Sequence, residues 1–376
     1  MERMPAVRRA QRNGGCDDDM SDQNLARRAE VSVSFAGVDI TKDLRPYLKS
    51  LTYTDNEEGE ADDLQLSLQD REGLWLESWL TEAVEAAAAG RLSIGASIRR
   101  KNWRSDGKDD VLPCGSFELD SVEASGPPAV VTIRATALPF SAAVRQTKKS
   151  RAWENYALSG IAREIAGAAG LGCLYESAAD PFYKRVEQLK TSDVSFLSKL
   201  CKDAGISLKA TDSQLVLFDQ AAYEAKPPVM TVKRADARRP LAGVYTKYRL
   251  SAGAAGTQYA SCRVSYVDPS SGKCIEGTAQ AEGMDAKSGQ CLEISARVAS
   301  AGGAAALAEK HLRLHNKLER TAVLTLPGTS ALVAGVTVAL EGWGGWSGKY
   351  IVSQAVHTVG EGYTTQVRLR RCLKGY

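Results

Sequence analysis

Histidine is nearly missing from this chain, with three in 376 residues, at positions 311, 315 and 357. So small a set offers no histidine-rich metal site, and a lone histidine is more often a structural residue than a base. The eight cysteines, at 16, 114, 173, 201, 262, 274, 291 and 372, contain no CxxC pair and no regular spacing. That excludes a zinc ribbon or a thiol redox motif and fits a reducing folding compartment. No run approaches the roughly 18 to 20 consecutive apolar residues of a membrane-spanning helix, and the N-terminus lacks the apolar core of a signal peptide. Charge of one sign is not in excess either: 48 Lys and Arg face 45 Asp and Glu, which makes no case for specific nucleic-acid binding.

What is present is a β pattern with one interruption. Residues 1–30 are charged, glycine-bearing and almost free of large apolar side chains, and read as a flexible arm; Met20 offers a second start. From Val31 the period is two: "VSVSFAGVDIT" puts Val31, Val33 and Phe35 on one side, and "LQLSLQD" does the same with Leu64, Leu66 and Leu68. Between them "TDNEEGEADD" (54–63) reads as an acidic loop whose charges need water, and "LWLESWLTEAVEAAAAG" (74–90) as a short amphipathic helix. Strands at "RLSIGASIRR", "GSFELDSVEA" and "VVTIRATAL", with turn chemistry between them, complete residues 31–150 as a first antiparallel barrel-like domain.

The period then changes. Leu158, Ile161, Ala162, Ile165, Ala166 and Ala169 form one helical stripe stopped at Gly170. A second helix starts at a Thr191 or Ser192 cap, carries Asp193 at its positive end, buries Val194, Leu197, Leu200, Cys201 and Ala204, and stops at Gly205. "ISLKATDSQLVLFD" follows as two strands around a turn, so residues 151–228 read as a small α+β module that ends at "AKPP". Residues 229–376 return to strands, with one helix at about 303–319, as a second barrel-like domain. The predicted class is α+β, mainly β.

Catalytic templates fail on named residues. "GWGGWSGK" (342–349) has Trp343 where a phosphate loop needs glycine and Tyr350 where it needs Ser or Thr, and Ser347 lacks the nucleophile-elbow glycine; a glycine-rich hairpin is the expectation. His311 and His315 share a helix face, but Leu307, Leu314 and Leu318 flank His311, which reads as a structural histidine; His357 reads likewise. Adjacent carboxylates such as Asp62 and Asp63 read as solvated, and the basic clusters 99–104, 148–151, 233–239 and 368–374 as ordinary surface. Trp75, Trp79, Trp343 and Trp346 are the candidate interface anchors. No catalytic, cofactor or metal residue is expected.

Three stretches in order carry a resemblance. "DVSFLSKLCKDAGISLKATDSQLVLFD" (193–219), the strand, Gly-Pro-Pro turn, strand, basic loop, tryptophan and helix of 115–171, and the closing hairpin "GKYIVSQAVHTVGEGYTTQVRLR" (348–370) resemble the phage late control protein D family. These are baseplate or tail hub proteins of phages, tailocins and contractile injection systems. The resemblance implies a virion structural protein assembled in the host cytoplasm into the tail baseplate. It implies a homotrimeric ring that adapts a sixfold tail tube protein to a threefold spike, beside other baseplate proteins and the tape measure. Related secretion spikes carry a fused C-terminal needle, so the end of this chain at Tyr376 implies a separate spike protein. A tail-associated cell-wall hydrolase is the alternative, and a nucleic-acid-binding barrel a third reading.

Overall fold

The computed structural model describes residues 26–75, 93–104, 107–137, 147–211, 213–235, 245–253, 258–268, 272–282 and 289–373. Residues 1–25, Trp79 and most of the helix expected over 74–90 lie outside them.

Alternation of apolar and polar side chains builds the first half. It contains β1 (Arg28–Phe35), β2 (Val38–Asp39), a short helix α1 (Thr41–Leu44), β3 (Leu48–Asn56), β4 (Asp63–Gln69), β5 (Ser93–Lys101), β6 (Asp110–Ser125) and β7 (Val130–Ala137). β1 therefore opens three residues before Val31, inside the segment expected to be an arm. Val33, Phe35, Leu64, Leu66 and Leu68 fill the inner face as predicted, with Val31 only half-buried beside them, and Ile94, Ile98, Phe117 and Ile133 complete it.

The module follows as β8 (Lys149–Ala157), α2 (Leu158–Ala168), β9 (Gly172–Glu176), β10 (Phe182–Thr191), α3 (Asp193–Asp203), β11 (Ser207–Ala210), β12 (Gln214–Phe218) and α4 (Gln220–Ala225). β8 and β10 pair as a two-stranded ribbon, while β9, β12 and β11 make a small sheet in which β9 runs parallel to β12. The Ser192 hydroxyl caps α3 by accepting from the Ser195 amide at 3.3 Å. The buried stripe of α3 is centred on Phe196, Leu197, Leu200 and Cys201. Val194, expected in it, is only half-buried, because Phe196 takes the inner place and stacks on Trp153 at 5.1 Å. Gly205 ends the helix at φ +66°, and a Cβ there would sit 2.5 Å from Lys310, so both the backbone and the close approach require glycine.

The remainder comprises β13 (Met230–Lys233), β14 (Lys247–Ala252), β15 (Tyr259–Val267), β16 (Cys274–Gln280), β17 (Gln290–Ser295), α5 (Ala301–Asn316), β18 (Arg320–Pro327), β19 (Thr337–Glu341), β20 (Gly348–Val359) and β21 (Tyr363–Arg371). "GWGGWSGK" is the turn between the antiparallel strands β19 and β20, the hairpin its composition predicts. β15, β16 and β17 form a separate sheet that α5 covers with Ala304, Ala308 and Leu312. Leu312, and not Leu314 or Leu318, lies on the inner side of this helix; Leu318 is exposed.

The two β halves are parts of one sheet, in the order β14, β18, β21, β20, β3, β4, β7, β6, β5, β1, β2. β20 is the shared strand. On one edge its start pairs with β19 and its end, Gln354–Val359, pairs with β3 over Leu51–Asn56. The change of partner falls at Ser353, whose carbonyl accepts the Glu57 amide at 3.0 Å. The C-terminal hairpin also lends Val359 and Tyr363 to the core of the first half.

Candidate functional site

The acidic stretch 54–63 is solvated only in part, at Gly59, Glu60 and Asp63. Asp55 and Asn56 are the last residues of β3, and they are buried with Glu57 and Asp62. The physical reason is cations arriving from distant parts of the chain. Arg370, read as surface in the sequence, is 1% exposed. Its Nε and Nη2 donate to the two oxygens of Glu57 at 3.1 and 2.6 Å, and its Nη1 donates to Glu224 at 2.5 Å. Alternation along β21 puts Arg370 on the same face as the exposed Gln366 and Arg368, opposite Val367 and Leu369, so its burial comes from the groups that meet it there, Glu57 and the Glu224 that α4 delivers to the same point. Burial raises the Glu57 pKa against the pull of Arg370. Burial also works against the Arg370 charge, but Glu57 and Glu224 hold that guanidinium protonated.

Helix α5 and the residue that follows it supply more cations at 310, 313 and 317, spacings of three and four that share a face. Lys310 donates to Asp219 at 2.6 Å, Arg313 to Glu224 at 2.7 Å, and Lys317 to Glu58. Burial would raise the Glu58 carboxyl, but Lys317 outweighs it and the pKa falls. His311 lies buried on this helix with its Nε2 against the Asp203 carbonyl at 3.1 Å, while His315 is exposed and meets the Tyr259 ring edge-on. Burial lowers both imidazoles.

A second group lies beside the first. Lys209 of β11 donates to Asp55 at 2.5 Å and to the Asn56 carbonyl at 2.7 Å, with Asp62 at 3.7 Å. Asp55 also accepts the Ala334 amide, Asp62 the Asn56 amide, and Asn56 the Gln354 amide group, each at 2.8 Å. Burial and then the neighbouring Asp55 carboxylate push Asp62 up to about 7, against the opposing pull of Lys209. Asp63, expected to be solvated like Asp62, is at least exposed as a residue. The whole arrangement ties together the first half, the module, α5 and the second half. Chemically it can hold angles; no member is placed as a nucleophile beside a base.

The other residues singled out in the sequence take structural positions. His357 is fully buried, donates from Nε2 to the Leu332 carbonyl at 3.0 Å, accepts at Nδ1 from Tyr363 at 2.9 Å, and lies parallel to Tyr53. Burial lowers it to about 4, so it is a neutral structural imidazole. Trp343 is a core residue and not a surface anchor: it is buried among Tyr245, Tyr248 and the second-half core, and its indole donates to the Val232 carbonyl at 3.0 Å. Trp75 is half-buried against Tyr47. Trp346 is also half-buried, and its indole N–H has no partner among the described residues. Asp193, the first residue of the recognised helix, is buried and receives Lys149 at 2.6 Å, Arg151 at 2.9 Å and Gln188 at 3.0 Å, which fastens the β8–β10 ribbon to α3. Among the described residues no three His, Cys, Asp or Glu side chains group to hold a metal.

Comparison with known proteins agrees with this architecture. The profile of the phage tail baseplate hub (GPD) family matches residues 118–363. The probable baseplate hub proteins of Escherichia phages P2 and 186 are 28% identical over 213 residues and 30% over 209, in each case 54% of this chain and 49% of the relative. The chain thus spans about half the length of the curated relatives it matches. The 43 kDa tail protein of prophage MuSo2 from Shewanella oneidensis shares the fold at a TM-score of 0.64 and 13% identity, over 91% of this chain and 98% of that one.

Proposed function

From the premise that this chain belongs to the phage tail baseplate hub (GPD) family, we propose that it acts by geometry, as a hub subunit with no bond-making role. Three copies close into a ring through heterologous contacts. Each copy contributes two β halves, residues 31–150 and 229–376, with the module 151–228 between them. Six near-equivalent seats result, so the ring meets a sixfold tail tube on one face and a threefold spike on the other, within the baseplate of the tail.

The observation that supports this reading is the way the halves are joined. A subunit that offers two seats to one tube must keep a constant angle between them, and here β20 is shared while Arg370 is clamped between Glu57 and Glu224. Of the tryptophans considered as interface anchors, we assign Trp346 to a contact with a neighbour, since the second-half core covers its side chain only in part.

Light scattering on the purified chain tests the proposal. The expected mass is three times 40.3 kDa, with threefold rings in end-on images. A single-chain mass at concentrations of tens of micromolar, with β halves that do not superimpose, would sink it.

A further inference from the structure

The apolar cores stop where the segments meet. Every residue of the module's buried apolar cluster falls between Trp153 and Leu217, and the clusters of the two β halves draw nothing from it. The named contacts that cross this boundary are mostly charged: Lys209 on Asp55 and the Asn56 carbonyl, Arg370 and Arg313 on Glu224, and Lys310 on Asp219. A backbone amide joins them, with Leu373 donating to Glu224 at 3.1 Å.

Contacts of this kind are directional where apolar ones are not. The Arg370 fork serves Glu57 through two nitrogens and Glu224 through the third, which only one mutual placement of β3, β21 and α4 allows. Lys209 needs the Asp55 oxygen and the Asn56 carbonyl together, which fixes β11 against the end of β3. A buried ion pair adds little net stability, since the lost hydration offsets the attraction, yet it excludes placements that leave a charge alone.

We propose that Lys209 and Arg370 are positioning residues that set the module, residues 149–225, in one orientation on the β body. Neutralising both groups with their carboxylate partners then frees the module as an intact folded unit while the shared sheet persists. The inference concerns the single chain and stands independently of the ring.

Hydrogen-exchange mass spectrometry on the full chain tests it. One variant combines Lys209→Met, Asp55→Asn and Asp62→Asn with Glu57→Gln, Arg370→Met and Glu224→Gln. The Asn side chains can still accept the Ala334 and Asn56 amides, and no buried carboxylate is left without its cation. The expected result is exchange at least tenfold faster at Leu373, whose amide donates across the boundary to residue 224, with α2, α3 and β21 protected as in the native chain. Native protection at that amide would overturn the proposal, because the contacts the variant leaves in place, Lys310 on Asp219 and His311 on the Asp203 carbonyl, would then be what holds the module. Joint loss of protection at the boundary and in α2 and α3 would overturn it too, since the module would not be a unit. A second measurement covers a variant that fails to fold. In the native chain under sub-denaturing guanidinium chloride, the Leu373 amide is expected to open in a separate step that precedes opening of α2 and α3; a single shared opening step would overturn the proposal.

Discussion

Two arginines in this molecule do the same thing in opposite surroundings. Arg370 bridges Glu57 and Glu224 at 2.6 and 2.5 Å, and Arg185 bridges Glu154 and Glu187 at 3.0 and 2.6 Å. The Arg185 side chain is 61% exposed, whereas that of Arg370 is 1% exposed. Arg185 joins neighbours within the β8–β10 ribbon; Arg370 joins three segments of the chain. Distance alone therefore says little about what an ion pair is worth. Burial decides, because only a buried partner has no water to fall back on.

The most severe break in this comparison is Arg370→Met, which leaves Glu57 and Glu224 buried without their shared cation. The expected loss is about 3–5 kcal/mol of unfolding free energy, read from urea titrations of native and variant chains.

A smaller effect is expected from pH, with two groups acting in opposite directions. Because the folded pKa of His357 is depressed to about 4, its contribution is complete above about 6.5 and is lost as pH falls through 4. Because that of Asp62 is raised to about 7, its contribution is complete below the unfolded carboxylate value and is lost as pH climbs through 7. Thermal melts should thus show greatest stability on the acidic side of neutrality, and Asp62→Asn should flatten the Asp62 share of the decline, which falls between about pH 4 and pH 7. A curve that still falls there by the native amount would remove Asp62 from the account. At the bottom of the scale stands Arg185→Ala, for which the urea midpoint should not move measurably.

Much of the fold was legible in the sequence because it is local. Period two in "VSVSF" and "LQLSL", the stripe from Leu158 to Ala166 and the glycine stops at 170 and 205 are short-range signals, and each element appears where its pattern lies. The error over Val194 and Phe196 is of the same local kind, since an apolar residue on either side of the stripe reads equally well until Trp153 is placed. The charge junction was not legible. Glu57 lies 313 residues from Arg370, and Glu224 lies 146 from it, so each looks like one more charge in a loop or a tail. Nothing in "TDNEEGEADD" distinguishes Asp55, which is buried, from Glu60, which is exposed. The shared strand was hidden for the same reason: the closing hairpin was visible, but not the partner on its outer edge.

That late partner has a bearing on synthesis. Gln354 pairs with Asn56 across 298 residues, so β3 emerges from the ribosome with one flank bare and keeps it bare until almost the entire polypeptide has been translated. An open strand flank invites pairing with other nascent chains. The yield of native protein should therefore depend on how quickly translation reaches the C-terminal hairpin, and on whatever shields that flank in the meantime.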